Sequence, residues 1–412
     1  MRAVEKYQKT YSKKLIEESP SSNLGIVITI PAYNEAETIK SIESILDCEP
    51  PNVDVEILVN VNFSESVSEN EKLFNRIAFQ VLKKYEKEHS TSHLKIHSLF
   101  FPDQASKKAG VGWARKQIMD EAFRRLLSIG NESGIIVGFD ADSTCEPNYL
   151  KVLETFFNSK SDAVACSIRF EHPISGYKYS SSIYQAITLY ELHLRYYVNA
   201  QKLIGTPYAF QTVGSSFAVR AKDYAAVNGM SPKKAGEDFY FLQKIIALGG
   251  FYNLNSTCVY PSPRISKRVG FGTGPSVDEI SKSGYKHTYN YNSFLEIKKL
   301  YDSLPQLFNQ KLRVDEIDLH PLFIDYLRKQ KAQAVISNLI RNHKIYDKFK
   351  SAFMQWFGGF QILKILNILR TNESFRDEDV VVAINRLGIL EPQSDAKQLL
   401  IDLRHFDNNN HS

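Results

Sequence analysis

The stretch IIVGFDADSTCEPNYL (135–150) decides the fold, because an apolar strand runs directly into two carboxylates, Asp140 and Asp142. Isoleucine and valine favour strands, and the segment 147–157 carries apolar residues at helical spacing. A strand followed by a helix is the repeating unit of an α/β layer. The sequence therefore predicts that both carboxylates lie where a strand leaves its sheet.

The same alternation of short apolar runs and helical stretches extends on both sides of this segment. Strands are predicted at GIVITIP (25–31), VEILVNV (55–61), LKIHSLFF (94–101), AVACSIRF (163–170), SSFAVR (215–220) and TCVY (257–260). Helices are predicted over 35–46, 69–87, 112–127, 181–201 and 237–248. This pattern predicts an α/β fold with an open, mainly parallel sheet flanked by helices.

Three regions are predicted along the chain: an N-terminal helical or flexible extension (1–23), the sheet domain (24–284) and a C-terminal helical region (285–412). Helices of the last region are predicted over 293–302, 321–340, 346–369 and 377–387. Within them, the apolar segment 353–369 is typical of the core of a helical subdomain. The alternative is a surface that rests on a membrane or binds a partner helix.

Composition narrows the class of protein. Of the 412 residues, 43% are hydrophobic and 24% are charged, as in ordinary soluble proteins. The net charge of +5 suits an anionic ligand but is too small and too scattered for nucleic-acid binding. A charged N-terminus, no long apolar run and four well-separated cysteines, expected to be reduced, predict a cytoplasmic protein without a transmembrane segment.

Polar residues follow the first, second and fourth predicted strands, at Glu35, at Asn60 and Asn62, and at Asp140 and Asp142. The carboxyl ends of parallel strands share one edge of the sheet, and ligands bind there. Two carboxylates spaced by one residue can hold Mg²⁺ or Mn²⁺ together with a substrate diphosphate. Alternatively, the acidic residues only form a turn or a helix cap.

Four segments in order resemble the family 2 glycosyltransferases over about residues 24–250: IPAYNEAETIKSIESI (30–45), GVGWARKQIMDEA (110–122), the DxD at 140–142 and GEDFYFLQKIIALGG (236–250). The resemblance implies a GT-A fold, a UDP- or GDP-linked sugar as donor, and Mg²⁺ or Mn²⁺ bound by Asp142 and Asp140. Asp140 is also expected to contact the nucleotide sugar.

The resemblance places four residues of the first strand end in the nucleotide pocket: Pro31, Ala32, Tyr33 and Glu35, with Tyr33 near the base. An aromatic ring can stack on a base and a carboxylate can accept from a ribose hydroxyl. Alternatively, Tyr33 packs under its loop and Glu35 sits in the first turn of a helix. Most relatives end the second strand in an acidic pair. Here Asn60 and Asn62 stand there, which leaves the base preference open.

Further ligand contacts are expected at the start of the helix after Gly110 and Gly112, where glycine allows close approach and amide dipoles attract anions. Lys108 and Arg115 are the candidates, although Arg115 could also be an exposed helix residue. The strand before the acidic pair carries Gly214 and Ser215, which resemble the acceptor side of the sugar pocket.

Asp238 is the candidate general base, since an inverting transfer needs a carboxylate to take the proton of the acceptor hydroxyl. Glu237 is expected to support acceptor or loop geometry, and the alternative for both residues is a pair of helix N-terminal charges. Downstream, Arg264 and Arg268 are candidates to clamp the diphosphate, unless they lie on a plain surface loop. His287 is available as a late metal ligand, although a surface histidine is the simpler interpretation.

These features together predict a non-processive, inverting glycosyltransferase whose acceptor is a saccharide or a lipid-linked group. The QxxRW segment of processive relatives is absent. No partner nucleic acid is expected, and membrane contact would be peripheral. The alternatives are a nucleotidyltransferase, whose LAGGxGxR-like segment is also absent, and an inactive nucleotide-sugar-binding scaffold.

Overall fold

A computed structural model describes residues 3–10, 13–106, 109–233, 236–266, 268 and 272–409 of the chain. It divides the chain into two compact units. The first comprises the residues up to Pro173 together with Thr212–Gly272. The second comprises Ile174–Gln211 together with the residues from Thr273 onward. The domain limits predicted from the sequence stay a prediction.

The first unit is built on an eight-stranded sheet. Its strands are β1 (Leu24–Ala32), β2 (Asp54–Ser64), β3 (Leu94–Gln104), β4 (Ile135–Gly138), β5 (Thr144–Cys145), β6 (Ala165–Phe170), β7 (Phe217–Arg220) and β8 (Phe251–Tyr260). Their spatial order is β3-β2-β1-β4-β7-β6-β8-β5. Pairings within β3-β2-β1-β4 and between β6 and β8 are parallel, whereas the pairings of β7 and β5 are antiparallel.

The helices that the structure describes beside this sheet are α1 (Ala3–Thr10), α2 (Thr38–Leu46), α3 (Glu69–His89), α4 (Val111–Ser128), α5 (Tyr149–Ser159), α7 (Ala221–Ala226) and α8 (Glu237–Ile246). Every residue of β2 is buried, and β1 is buried except at Pro31. Such continuous burial is expected of parallel strands that are covered on both faces. The predicted α/β class, with an open and mainly parallel sheet of the GT-A type, is confirmed.

The second unit is helical, with a two-stranded sheet of β9 (His287–Thr288) and β10 (Glu378–Asp379). Its helices are α6 (Ser181–Leu203), α9 (Thr273–Ser283), α10 (Tyr291–Asp302), α11 (Leu304–Phe308), α12 (Pro321–Lys329), α13 (Ala332–Asn342), α14 (Tyr346–Trp356), α15 (Gly359–Leu369), α16 (Val380–Arg386) and α17 (Ala396–Asn409). Short 3₁₀ turns lie at Val314–Glu316 and Glu373–Phe375.

Two helices of this unit are shorter than predicted. The single helices expected over 321–340 and 346–369 are each interrupted, so those two predictions are wrong. Lys331 has a left-handed backbone (φ 54°) that ends α12 before α13 begins. Gly358 separates α14 from α15, and a Cβ at this glycine would lie 3.1 Å from the Tyr208 ring. A side chain at position 358 would therefore crowd the Tyr208 ring.

The apolar segment 353–369 lies in the core of the second unit, as the sequence favoured. Phe353, Phe357, Ile362, Ile365 and Leu369 are each 0% exposed. In the part of the chain that the structure describes, no helix combines the length and apolarity needed to span a membrane.

Candidate functional site

The loop after β4 carries the two aspartates of the DxD. Phe139 stays attached to the central sheet because its N–H donates to the Thr29 carbonyl at 3.1 Å. The chain then turns, and the Ser143 N–H donates to the Asp140 carbonyl at 3.1 Å. Asp140 and Asp142 consequently leave the sheet together at the carboxyl end of β4, as the sequence predicted.

Asp142 lies among charged groups from three segments. Arg264 donates Nε to its Oδ2 at 2.8 Å and also donates to Glu35, while Arg268 donates Nη1 to Glu35 at 3.1 Å. Burial and the neighbouring Asp140 and Glu35 raise the pKa of Asp142 to about 6, against the opposing effect of Arg264. The two arginines and the first strand end are therefore parts of one site.

Arg268 also binds the backbone of the first strand end, since its Nη1 donates to the Tyr33 carbonyl at 2.7 Å. Arg264 and Arg268 thus both form ion pairs with Glu35 at the first strand end, and their role toward a diphosphate stays a prediction. Their intervening neighbour Lys267 and residues 269–271 lie outside the described residues.

Arg115 connects the DxD loop to the acidic pair. Its side chain is only 3% exposed, so the alternative of an exposed helix residue is wrong. Its Nε donates to Glu237 Oε1 at 3.0 Å and its Nη2 donates to Asp140 Oδ1. Within the described residues, its buried Nη1 has no hydrogen-bond partner. One guanidinium group therefore binds carboxylates from two motifs that are distant in the sequence, and its Nη1 group is available to a further acceptor.

The acidic pair opens α8. Gly236 caps this helix with a left-handed backbone (φ 68°), which glycine adopts without strain. Burial and the adjacent Asp238 raise the pKa of Glu237 to about 7, although Arg115 opposes the shift. Burial also raises the pKa of Asp238, whose Oδ1 accepts from the Phe239 N–H at 2.7 Å. Both carboxylates are therefore closer to neutrality than ordinary surface carboxylates.

Two glycines allow these elements to approach. A Cβ at Gly214 would lie 2.6 Å from Arg115 Nη2 and 3.0 Å from Asp238 Oδ2. A Cβ at Gly112 would overlap the Lys233 carbonyl and approach Glu237 Cβ to 2.9 Å. Gly112 thus serves packing of α4 against the start of α8. Gly214 brings its backbone directly against the charged centre.

The first strand end is held by residues that the sequence analysis did not single out. The Tyr33 hydroxyl donates to Glu71 Oε1 at 2.8 Å, and the Asn34 N–H donates to Asn75 Oδ1 at 2.8 Å. Asn34 has φ 49°, a left-handed conformation that asparagine tolerates better than most residues. Glu71 and Asn75 lie on α3, some forty residues along the chain, so no local pattern connects them with Tyr33.

The remaining predicted residues occupy varied positions. Pro31 and Ala32 end β1 beside Asn60 and Val61 of β2. Asn60 is 0% exposed, donates Nδ2 to the Ala114 carbonyl at 3.1 Å, and has no partner for Oδ1 within the described chain. Asn62 is likewise buried.

Three more residues were predicted from the sequence as ligand contacts. Ser215 is 0% exposed, with its hydroxyl 3.3 Å from that of Ser216. Lys108 lies outside the described residues. His287 belongs to the second unit, where its exposed ring lies 5.0 Å from the Tyr285 ring. Among the residues with described positions, no group of three or more His, Cys, Asp or Glu side chains forms a ready metal site.

The charge balance of the cluster is acidic. It brings five carboxylates (Glu35, Asp140, Asp142, Glu237, Asp238) together with three guanidinium groups (Arg115, Arg264, Arg268). Excess carboxylate in a poorly solvated place is the environment in which a hard divalent cation is favoured. The carboxylate oxygens of Asp140 and Asp142 are of the type that Mg²⁺ or Mn²⁺ prefers, and their role as metal ligands stays a prediction.

Comparison with known proteins gives the following result. No protein-family model matches the chain, and no curated protein matches it. Among solved structures, the chain is similar to S. aureus TarS 1-349, with 13% identity and a TM-score of 0.40 over 81% of this chain and 91% of that one. The TarS 1-349 complex with UDP-GlcNAc gives 15% identity and a TM-score of 0.41 over the same shares.

A third similar structure is the mannosyltransferase PcManGT from Pyrobaculum calidifontis in complex with GDP-Man and Mn²⁺. It shows 13% identity and a TM-score of 0.36 over 99% of this chain and 94% of that one.

Proposed function

We propose that this chain is a non-processive, inverting glycosyltransferase that moves a sugar from a UDP- or GDP-linked donor to an acceptor hydroxyl with the help of a divalent cation. The observation that carries the proposal is the buried Arg115, which binds Asp140 of the DxD loop and Glu237 of the acidic pair. The sequence predicted these two motifs separately as donor site and catalytic pair. Because one arginine contacts both motifs, the donor site and the catalytic pair are close enough to form a single reaction centre.

The donor half of the proposed site follows the sheet edge. Tyr33 is the candidate to stack on the base, with Pro31 and Ala32 beside it and Glu35 close to the ribose. Asn60 and Asn62 remain proposed nucleoside contacts at the second strand end, and a contact with Asn60, which is 0% exposed, would require a movement that uncovers its amide. Lys108 and Ser215 remain proposed ligand contacts.

The diphosphate would meet guanidinium groups. Arg264 and Arg268 now bind Glu35 and Asp142, and a planar guanidinium can exchange carboxylate oxygens for phosphate oxygens. When bound by Asp140 and Asp142, Mg²⁺ or Mn²⁺ would supply charge neutralisation for the departing diphosphate. His287 stays a proposed additional ligand.

Asp238 is the proposed general base. The acceptor oxygen attacks the anomeric carbon on the side opposite the leaving diphosphate, and Asp238 takes the hydroxyl proton. Burial raises the pKa of Asp238, which makes it a better proton acceptor than an ordinary aspartate. Glu237 is held by Arg115 at 3.0 Å, so it is the positioning member of the pair.

A panel of nucleotide sugars tests the proposal. The purified protein should release UDP or GDP from at least one donor in the presence of Mn²⁺ or Mg²⁺, and calorimetry should show cation-dependent binding of that donor. Nucleoside triphosphates serve as the comparison. Binding of a triphosphate together with no binding of any nucleotide sugar would favour a nucleotidyltransferase and contradict the proposal.

A further inference from the structure

Two cysteines that are distant in the sequence meet in the first unit. Cys48 follows the end of α2 and Cys145 lies in β5, 97 residues further on. Their Sγ atoms are 3.7 Å apart. No local spacing in the sequence connects these two cysteines.

Both thiols share one neighbourhood. The two Sγ atoms lie 3.3 Å and 3.5 Å from the Ser44 carbonyl, which accepts from them in the last turn of α2. A disulfide needs the sulfurs at about 2.05 Å, so closure requires an approach of less than about 2 Å. Rotation of two side chains on adjoining elements can provide such a movement.

The pair adjoins the candidate site. Cys145 comes three residues after Asp142 in the segment that leaves β4, and Cys48 lies two residues after the end of α2, the helix that begins at Thr38. A covalent bond between the two cysteines would tie the DxD loop to α2. That bond would close a long stretch of chain, and cross-links of this kind restrict the unfolded state strongly.

We propose that Cys48 and Cys145 form a reversible dithiol–disulfide pair that reacts with small-molecule disulfides and, when oxidised, fixes the DxD loop to α2. One protein thiolate attacks a sulfur of the small disulfide, breaks its S–S bond and releases one thiolate. The second cysteine loses its proton and attacks the resulting mixed disulfide, which releases the second thiolate. The two protein thiols are oxidised and the small disulfide is reduced to two thiols.

The chemistry of the two thiols is asymmetric. The hydrogen bond from Cys145 lowers the pKa of Cys48, and the same bond raises the pKa of Cys145. A thiol with a lowered pKa is the usual attacking partner in exchange reactions. Cys48 is 8% exposed and Cys145 is partly exposed, whereas the other two cysteines, Cys166 and Cys258, are 0% exposed. Burial raises the pKa of Cys166. Their burial makes reaction with an external disulfide unfavourable.

Incubation with oxidised and reduced glutathione in defined ratios, followed by intact mass and peptide mapping, tests the proposal. The expected product is a chain about 2 Da lighter with a 48–145 cross-link that dithiothreitol reverses. The Cys48→Ser and Cys145→Ser variants should instead stop at a glutathione adduct or stay unmodified. Cys166→Ala is the matched control and should keep the cross-link.

Two further readouts use the full chain without any nucleotide sugar, so they do not depend on the proposed function. The oxidised protein should melt several degrees higher than the reduced protein. Amide hydrogen exchange over residues 139–146 should slow on oxidation. A stable glutathione adduct on the wild-type chain without a 48–145 bond would overturn the pairing. A cross-link that leaves exchange over 139–146 unchanged would overturn the coupling to the DxD loop.

Discussion

Replacement of Arg115 by methionine should be the most damaging single change to the fold of the candidate site. Methionine fills a similar volume but leaves Glu237 buried without its guanidinium partner. Removal of one member of a buried ion pair costs about 3–5 kcal/mol. The Asp140 side chain is 36% exposed, so solvent screens its ion pair with Arg115 and the loss of that pair adds little to the cost. A loss of about 3 kcal/mol at pH 8 is therefore expected.

The loss should depend on pH. The pKa of Glu237 is raised to about 7 with the arginine present, and removal of the arginine raises it further. At pH 5.5 the carboxyl is largely protonated in both proteins, so the cost of the substitution should be roughly halved. For the same reason, Arg115→Met combined with Glu237→Gln should be more stable than Arg115→Met alone at pH 8.

Urea unfolding followed by tryptophan fluorescence measures these differences. The chain has two tryptophans, Trp113 on α4 and Trp356 on α14. In a Trp356→Phe background, the signal reports only the neighbourhood of Arg115. The matched control is Arg328→Met, whose side chain is 61% exposed and should cost less than about 0.5 kcal/mol. A loss below about 1 kcal/mol for Arg115→Met at pH 8 would refute the buried bridge as described.

Three other predictions concern the same cluster. Asp142→Ala should weaken Mn²⁺-dependent binding of the donor at least about tenfold in calorimetry, and an unchanged affinity would contradict the metal assignment. Gly214→Ala should lower the free energy of unfolding in urea by about 1–3 kcal/mol, because the new Cβ would lie 2.6 Å from Arg115 Nη2. An unchanged free energy of unfolding would show that the backbone at position 214 does not lie close to Arg115. The pKa of Glu237 is about 7 in the folded protein and 4.5 for an ordinary glutamate. Between pH 4.5 and pH 7 the folded state therefore binds more protons at this group than the unfolded state does. The stability that this group contributes is complete below pH 4.5 and is lost as the pH rises through 7. Wild type should therefore lose stability relative to Glu237→Gln across that window, and a gain would reverse the sign of the argument.

The first unit shows how much of the fold the sequence could predict. Strands β1, β2 and β4 are runs of β-branched residues that are buried in the structure, so their period and composition identify them directly. Because the carboxyl ends of parallel strands meet at one edge of the sheet, the position of the carboxylates that follow these strands could also be predicted. The breaks at Lys331 and Gly358 were not predictable in the same way, because they depend on local backbone geometry and on packing against Tyr208.

The candidate site was predictable as a set of residues but not as a set of contacts. Local motifs identified Asp140, Asp142 and the acidic pair, yet no pattern indicated that Arg115 would be buried between them. The contact of Tyr33 with Glu71, and that of Cys48 with Cys145, join segments far apart in the chain. Such contacts follow from how helices are packed on the sheet, which hydrophobic period alone does not specify.

The central claim, sugar transfer with Asp238 as the base, is tested most directly by the turnover of Asp238→Asn with the donor identified by the nucleotide-sugar panel. The amide keeps the size of the side chain but cannot accept a proton at neutral pH, so turnover should fall by about 10²–10⁴-fold while donor affinity stays unchanged. Asp347→Asn, in the first turn of α14, controls for the loss of a helix N-terminal charge. If Asp238 were only such a charge, its loss would cost about 0.3–1 kcal/mol of stability and little activity. Transfer by Asp238→Asn at close to the wild-type rate would contradict the mechanism proposed here.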